Sequence, residues 1–340
     1  LPNGRMFGRC LTGKEELVPL AKISVLGASI EVWEEKRCLQ PPDFATSHTL
    51  AFGDNLHHLL SCLRVGVVGC SGTGSPTIEQ LARLGVGEIV IVDDDLVEYR
   101  NLNRIIHATR ADAMAGRAKV EVLAETLMRS GLPVKVTPVK QNLLSEEAIR
   151  SLAGCDVVFG CMDTHEGRFV LNLLATHYLI PYFDLGVRIN VKVCTDGMPR
   201  ITEATGSVHY LQPGLSSLLS RRVINLEAVR TEGLQRTDPE AHIREAKKGY
   251  LHGIEARQPA VISVNMQISS LAVNDFLARM CPYRQTANED IACIRISLSS
   301  LDLFTESEDG QACSVVAPGI GRGDVEPWLG LSMLSRRSSA

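Results

Sequence analysis

Nothing in this 340-residue chain is arranged as a disulfide framework or a zinc ribbon: its ten cysteines are scattered, and no two of them stand as C-x-x-C. Reduced thiols are therefore expected, and with them a cytoplasmic location. An excess of charge of one sign is also lacking. The net charge is only −4, which gives no case for a nucleic-acid or anionic-membrane partner. No apolar stretch is long enough to span a bilayer, and the N-terminus has no signal-peptide core. The first residue is Leu1 rather than Met, so an upstream residue or segment is expected. No internal repeat is present. With 45% apolar and 22% charged residues, the composition is that of an ordinary soluble globular protein, long enough for one large α/β domain or two smaller ones.

The organising stretch runs from Val65 to Arg104. An apolar run, Val65 to Val68, reads as a buried strand. A turn holding Gly69, Gly72 and Gly74 follows, and then Ile78, Leu81, Ala82 and Leu84 fall at helical spacing. A second apolar run, Ile89 to Val92, ends in Asp93, Asp94 and Asp95. Strand, glycine turn, helix, strand and acid make the first half of a nucleotide-binding βαβ unit. Glycines let backbone approach a polyphosphate, a helix N-terminus offers unpaired N–H groups, and a strand-end acid can accept from ribose hydroxyls. The turn alone is weak evidence, because dehydrogenases and methyltransferases carry similar ones.

Further elements alternate on either side. Asn55 to Arg64 has helical spacing, as does Asp112 to Arg129, and Val134 to Val139 alternates as a strand. A short helix from Glu146 to Leu152, a strand from Asp156 to Gly160, a helix from Arg168 to Leu179 and strands at Pro181 to Asp184 and Val187 to Val193 come next. The fold class expected is α/β, a doubly wound, mainly parallel sheet with a small N-terminal accessory element and its site at the C-terminal ends of the strands. Residues 1–45 form the accessory element, with one or two strands between Lys22 and Trp33. Residues 46–305 form the main domain. Within it, the polar span at about 197–258 is a candidate lid, and Pro259 to Met280 a long apolar helix before one or two strands at Ile291 to Leu303. Residues 306–340, rich in Gly, Ser and Pro, read as a flexible tail.

The residues that discriminate among nucleotide sites lie downstream of the turn: Arg104 after the acid strand, Lys119 on the next helix and Asp163 at the end of a third strand. Two cations and one anion beside phosphates suit a site that breaks a triphosphate and holds Mg²⁺, and have no use in hydride transfer. These motifs, VVGCSGTGS from Val67, DDDLVEYRNLNR from Asp93, GRAKVEV from Gly116 and GCMDTHEGR from Gly160, resemble the MoeB/ThiF/HesA family, the adenylation domain shared with ubiquitin-activating enzymes. The resemblance covers roughly Phe52 to Arg279. It implies a Rossmann-like fold, a homodimer, and ATP·Mg²⁺ used to join AMP to a carboxylate. By position it implies Gly69, Gly72 and Gly74 around the phosphates, with Asp93 on the ribose. Asp95 and Asn101 flank them, Arg104 and Lys119 hold the triphosphate oxygens, and Asp163 stands near Mg²⁺.

Four departures narrow the expectation. Ser47-His48 stands where the family usually has Arg-Gln, and Ser71 replaces a glycine of the turn. Ser217-Leu218-Leu219-Ser220 occupies the span of a C-x-x-C zinc pair, and hydroxyls are poor zinc ligands, so zinc is not expected there. No cysteine lies between Cys194 and Cys281, which argues against thioester transfer from the lid. An adenylating core without that transfer apparatus is similar to the enzymes of microcin C and pantocin maturation, which act on short precursor peptides. Residues 1–45 are then a candidate peptide clamp. Other readings stand beside this one: activation of a sulfur-carrier or ubiquitin-like C-terminus, a catalytically silent subunit, and a nicotinamide-dependent oxidoreductase. Structural roles stay open too, since Arg104 and Lys119 could be surface charges and Asp163 a helix cap. Cys70, Cys161 and Cys194 suit small apolar fillers, and His48, His57 and His58 have no assigned role.

Overall fold

The computed structural model describes residues 6–34, 42–247 and 259–334. Two hairpins open the chain, β1 (Arg9–Leu11) with β2 (Leu17–Pro19) and β3 (Lys22–Leu26) with β4 (Ile30–Glu34). Helices α1 (Thr46–Phe52) and α2 (Asp54–Ser61) lead into β5 (Arg64–Val68), α3 (Gly74–Arg83) and β6 (Glu88–Val92). Then come α4 (Arg110–Met114), α5 (Lys119–Arg129), β7 (Lys135–Val139), α6 (Glu146–Ala153), β8 (Val157–Gly160) and α7 (His165–Tyr178). The long strands β9 (Tyr182–Val193) and β10 (Pro199–Leu211) precede α8 (Leu226–Thr237), α9 (Pro239–Lys247) and α10 (Ile262–Met280), and β11 (Cys293–Ser297) and β12 (Asp302–Glu306) come last.

Eight strands form one sheet in the order β12-β11-β10-β9-β8-β5-β6-β7. The ladders from β9 through β8, β5 and β6 to β7 are parallel, and those joining β12, β11, β10 and β9 are antiparallel. Apolar runs such as Val65 to Val68 are buried on both faces, which is why they carry no polar alternation. One core lies between the sheet and α3, α5 and α10, and another joins the opposite face to α6 and α7. After β7 the chain returns to the far side of β5 to form β8. The strand order therefore reverses between β5 and β8, and a doubly wound sheet opens its crevice at such a point.

Three expectations need correction. The helix expected from Asp112 to Arg129 is broken: Thr109 caps α4, and Ala118 is extended and bridges to Leu96. That break lets the backbone N–H of Lys119 donate to Asp95 O at 3.1 Å. The candidate lid does not begin at residue 197, because Pro199–Leu211 is β10, paired along β9, with Val208, Tyr210 and Leu211 buried. Residues 248–258 of that span lie outside the described residues. The expected tail packs as far as Leu334, with Cys313, Val316, Trp328 and Leu329 buried in the second core and the Arg150 guanidinium 4.4 Å from the Trp328 ring centre. Among the described residues, no helix is long and apolar enough to cross a membrane.

One buried cation ties the accessory element to the sheet. Arg279, fully buried at the end of α10, lies 3.7 Å over the Tyr210 ring and pairs with Asp275 at 3.2 Å. It donates to Ala28 O in the β3–β4 turn at 2.7 Å, and to Ile291 O ahead of β11. Tyr210 Oη donates to Gly27 O at 2.7 Å in the same turn. Replacing Arg279 with Ala leaves those carbonyls unpaired, while Asp275 keeps Arg284 at 2.7 Å. Arg279→Ala is expected to cost about 3 kcal/mol of unfolding free energy in urea titration. A loss below about 1 kcal/mol would show that this network holds nothing together.

Candidate functional site

Three neighbouring strand ends build the site. In the parallel register Val68 of β5 lies opposite Val92 of β6 and Gly160 of β8. The next residues, Gly69, Asp93 and Cys161, therefore leave the sheet at one level. Gly69 N donates to Val92 O at 2.9 Å and Cys161 N to Val68 O at 2.8 Å, which locks that level.

The glycines of the turn are steric requirements. Gly69 has φ +92°, and a Cβ there would stand 2.6 Å from Cys161 O. A Cβ on Gly74 would lie 1.7 Å from Gly69 O, and one on Gly72 would lie 2.0 Å from Asn265 Nδ2 and 3.3 Å from Arg104 Cδ. Thr73, ahead of α3, makes no side-chain cap; Ser75 N donates to Ser71 O at 2.9 Å and Thr77 N to Thr73 O at 3.3 Å, and Pro76 has no N–H to offer.

Asp93 joins the turn to the acid loop and to α5. Its carboxylate accepts from Cys70 N at 2.6 Å and from Asp95 N at 2.9 Å, and lies 3.7 Å from Lys119 Nζ. Burial pushes its pKa above the ordinary carboxylate range, against the pull of Lys119 and the two N–H donors. Each carboxylate oxygen has a second lone pair, so Asp93 keeps capacity for a hydroxyl donor. Lys119 is 5% exposed and donates to Asp95 Oδ2 at 2.5 Å. Asp95 itself is largely exposed.

Arg104 lies against Gly72 and spends Nη1 on Arg100 O at 3.2 Å and Asn103 Oδ1 at 3.1 Å. Among the described residues it has no ion pair. Asn101 is buried inside the same loop, where its Oδ1 accepts from Glu98 N at 3.0 Å and its carbonyl from the N–H groups of Arg104 and Ile105. Here it shapes the loop that carries Arg104. Asp163 is exposed, two residues beyond the Cys161–Gly69 approach, and forms no ion pair with Arg104 or Lys119. The cap of α7 is Thr164, whose Oγ1 accepts from Gly167 N at 3.2 Å, so Asp163 is not spent on that role.

Sequence reasoning misses two features of the site. Asn265 is a buried amide against Gly72, and four residues on Ser269 meets Thr77 Oγ1 at 2.7 Å and Gln80 Nε2 at 3.0 Å. Two polar residues one turn apart inside an apolar helix are the available signal. The second is Arg168, which pairs with the fully buried Asp184 at 3.3 Å and donates to Met162 O at 3.1 Å, steadying the loop of Asp163. Tyr182 Oη also donates to Asp184, at 2.8 Å, and burial holds the Asp184 carboxyl above its ordinary range against Arg168. Asp184 ends the apolar start of its strand much as Asp93 succeeds β6, and that parallel is its signal.

Thiol chemistry at these strand ends is disfavoured. Burial pushes the Cys161 thiol up to about 12 and the Cys70 thiol well above its usual value. At the span of the C-x-x-C pair, Ser217 and Ser220 hydrogen-bond to each other's backbone in a closed turn.

The model of the ThiF family matches residues 46–312. The SAMP-activating enzyme E1 of Haloferax volcanii is 40% identical over 110 residues, 32% of this chain and 40% of that protein. Ubiquitin-like modifier-activating enzyme 5 of Culex quinquefasciatus is 29% identical over 162 residues, 44% of this chain and 37% of that protein. The matches thus span about two fifths of the length of these relatives. The microcin C7 biosynthetic enzyme MccB of E. coli, solved with N-formylated MccA, superposes with a TM-score of 0.60 at 18% identity, covering 81% of this chain and 75% of that one. That likeness shows the fold.

The steric account predicts an order of damage. Gly74→Ala must move the Gly69 backbone and is expected to cost about 1–3 kcal/mol, whereas Gly72→Ala displaces only side-chain ends and costs less. Equal losses in thermal denaturation of the two variants would contradict it.

Proposed function

The chain belongs to the ThiF family, and on that premise we propose that it is an ATP-dependent adenylyltransferase that activates a carboxylate of a ribosomal peptide or small protein. A carboxylate oxygen bonds to the α-phosphorus of ATP, the bridge to the β-phosphate breaks, and pyrophosphate leaves. With a pKa near ~4 the carboxylate is ionised at neutral pH and needs no general base. Its difficulty is approach to an anionic phosphate, which cations and positioning relieve.

The observation that carries this reading is the surrounding of Gly72: bare backbone with Arg104 beside it, free of any ion pair among the described residues. The residues fit ATP: Gly69 and Gly74 hold the turn tightly against neighbouring backbone, with no room for side chains, and the Arg104 stem stands beside Gly72. Asp93 accepts from the ribose, while Arg104 and Lys119 stabilise the triphosphate oxygens. Asp95 and Asn101 position the two cations. Mg²⁺, when bound, neutralises phosphate charge. Asp163, an exposed carboxylate without an ion pair to either cation, would hold it, and Arg168 fixes the adjoining Met162 carbonyl.

The peptide reading draws support from the accessory element. Phe7, Leu11 and Leu17, in and just ahead of the β1–β2 hairpin, are exposed by 75%, 66% and 63%, an apolar surface suited to clamping an extended chain. One structure similar to this chain, the microcin C7 biosynthetic enzyme, was solved in complex with N-formylated MccA. Activation of a ubiquitin-like or sulfur-carrier C-terminus is the second reading, favoured by the names of the curated relatives.

ATP–pyrophosphate exchange tests both. Exchange is expected with one class of acceptor, a short precursor peptide or a small protein ending in Gly-Gly. Lys119→Ala, Arg104→Ala and Asp163→Ala are each expected to lower it by roughly 10²–10³-fold with the fold intact by circular dichroism. Full exchange in Lys119→Ala and Asp163→Ala would sink the site, and no exchange with any acceptor would favour a silent subunit.

A further inference from the structure

Away from the strand ends, where α2 meets β4, a thiol, an imidazole and a carboxylate converge. His58 and Cys62 are four residues apart, one turn of helix, so both side chains leave the same face at the end of α2. Glu34 is the last residue of β4. It shares a face with Ile30 and Val32, which are buried at 2% and 8%, so the pleat turns its carboxylate inward with them. One ligand atom from each of Glu34, His58 and Cys62 lies within 4.8 Å of the others, and Cys62 Sγ stands 4.0 Å from His58 Nδ1. The second observation is on Glu34 itself: its Oε2 is buried and has no hydrogen-bond partner among the described residues. A carboxylate oxygen withdrawn from water asks for a cation.

We infer that Glu34, His58 and Cys62 form a site for a divalent transition-metal ion of the zinc class, which staples the β3–β4 hairpin to α2. Ligands around tetrahedral zinc lie about 3.5 Å apart, given bonds of roughly 2.3 Å to sulfur and 2.0–2.2 Å to nitrogen and oxygen, so small side-chain rotations close the set. Thiolate and imidazole select zinc over Mg²⁺, which prefers oxygen ligands. Three protein ligands leave a fourth position for water or another donor. This site is separate from the closed Ser217–Ser220 turn, and it does not depend on the proposed adenylation chemistry.

The test uses the full chain, stripped with a chelator and titrated with Co²⁺ as the optical probe. One equivalent is expected to bind with a thiolate-to-cobalt charge-transfer band that Zn²⁺ then erases. Cobalt at a Mg²⁺ position beside oxygen donors gives no such band. Cys62→Ser should abolish it, His58→Ala and the near-isosteric Glu34→Gln should weaken Co²⁺ binding by at least about tenfold, and Cys313→Ser should leave it unchanged. Zn²⁺ should raise the melting temperature of the parent chain and not that of Glu34→Gln. A parent chain without the band, or a Cys62→Ser protein that keeps it, overturns the assignment. So does equal zinc stabilisation of Glu34→Gln, a variant whose fold is monitored in the same melt.

Discussion

The site depends on a carboxylate taken out of water. The Asp93 side chain is 8% exposed, and its burial is sustained by N–H donors from Cys70 and Asp95 and by the ammonium of Lys119. Those partners come from three places: the turn after β5, the residues after β6 and the start of α5. A buried charge is stable only where its partners are fixed, so Asp93 and its donors constrain one another. The break between α4 and α5 arises from the same constraint. Lys119 reaches Asp95 with both its backbone N–H and its Nζ, and a continuous helix through Ala118 would forbid the first.

A second constraint acts from the other end of the chain. Helix α10 packs on α3, β9 and β10 and brings Asn265 against Gly72. The polar seam of Thr77, Ser269 and Gln80 fixes the register of α10 on α3, because a slip of either helix would part the buried Ser269 hydroxyl from Thr77 and Gln80. Arg279, near the C-terminal end of the same helix, holds the β3–β4 turn. One helix therefore sets the closeness of the turn at one end and the seating of the accessory element at the other.

Much of this is legible in the sequence because it is written at short range. The strands at Val65 and Ile89 are uninterrupted apolar runs, and the turn between them must be glycine for reasons local to the turn. Arg104 can be placed because its loop directly succeeds the acid strand. The parts that escape depend on partners far away in the chain. Asn265 looks like a misplaced amide until α10 is laid on Gly72, and Arg279 looks like a surface charge until Tyr210 and Ala28 surround it. The packing of the final segment is hidden in the same way. Trp328 is one aromatic in a Gly- and Ser-rich stretch, and only its place beside Arg150 shows that it belongs to the core. The length of β10 is obscured by its first half, Pro199 to Glu203, where no residue is buried.

The pairing of Lys119 bears on how such a pocket could accept a polyphosphate. Its ammonium is shared between Asp93 at 3.7 Å and Asp95 at 2.5 Å. These acids are unequal: the Asp95 side chain is 70% exposed, whereas Asp93 is sealed in. An arriving phosphate must displace one of them from Lys119, and the displaced carboxylate must be solvated again. Asp95 can turn to water at little cost, while Asp93 would be stranded in low dielectric. On the proposed function, Asp95 is therefore the partner that yields, and Asp93 keeps hold of the turn throughout. On that same reading Lys119 is charge-compensated before the nucleotide enters, so it can be buried in advance where phosphate charge is to be met.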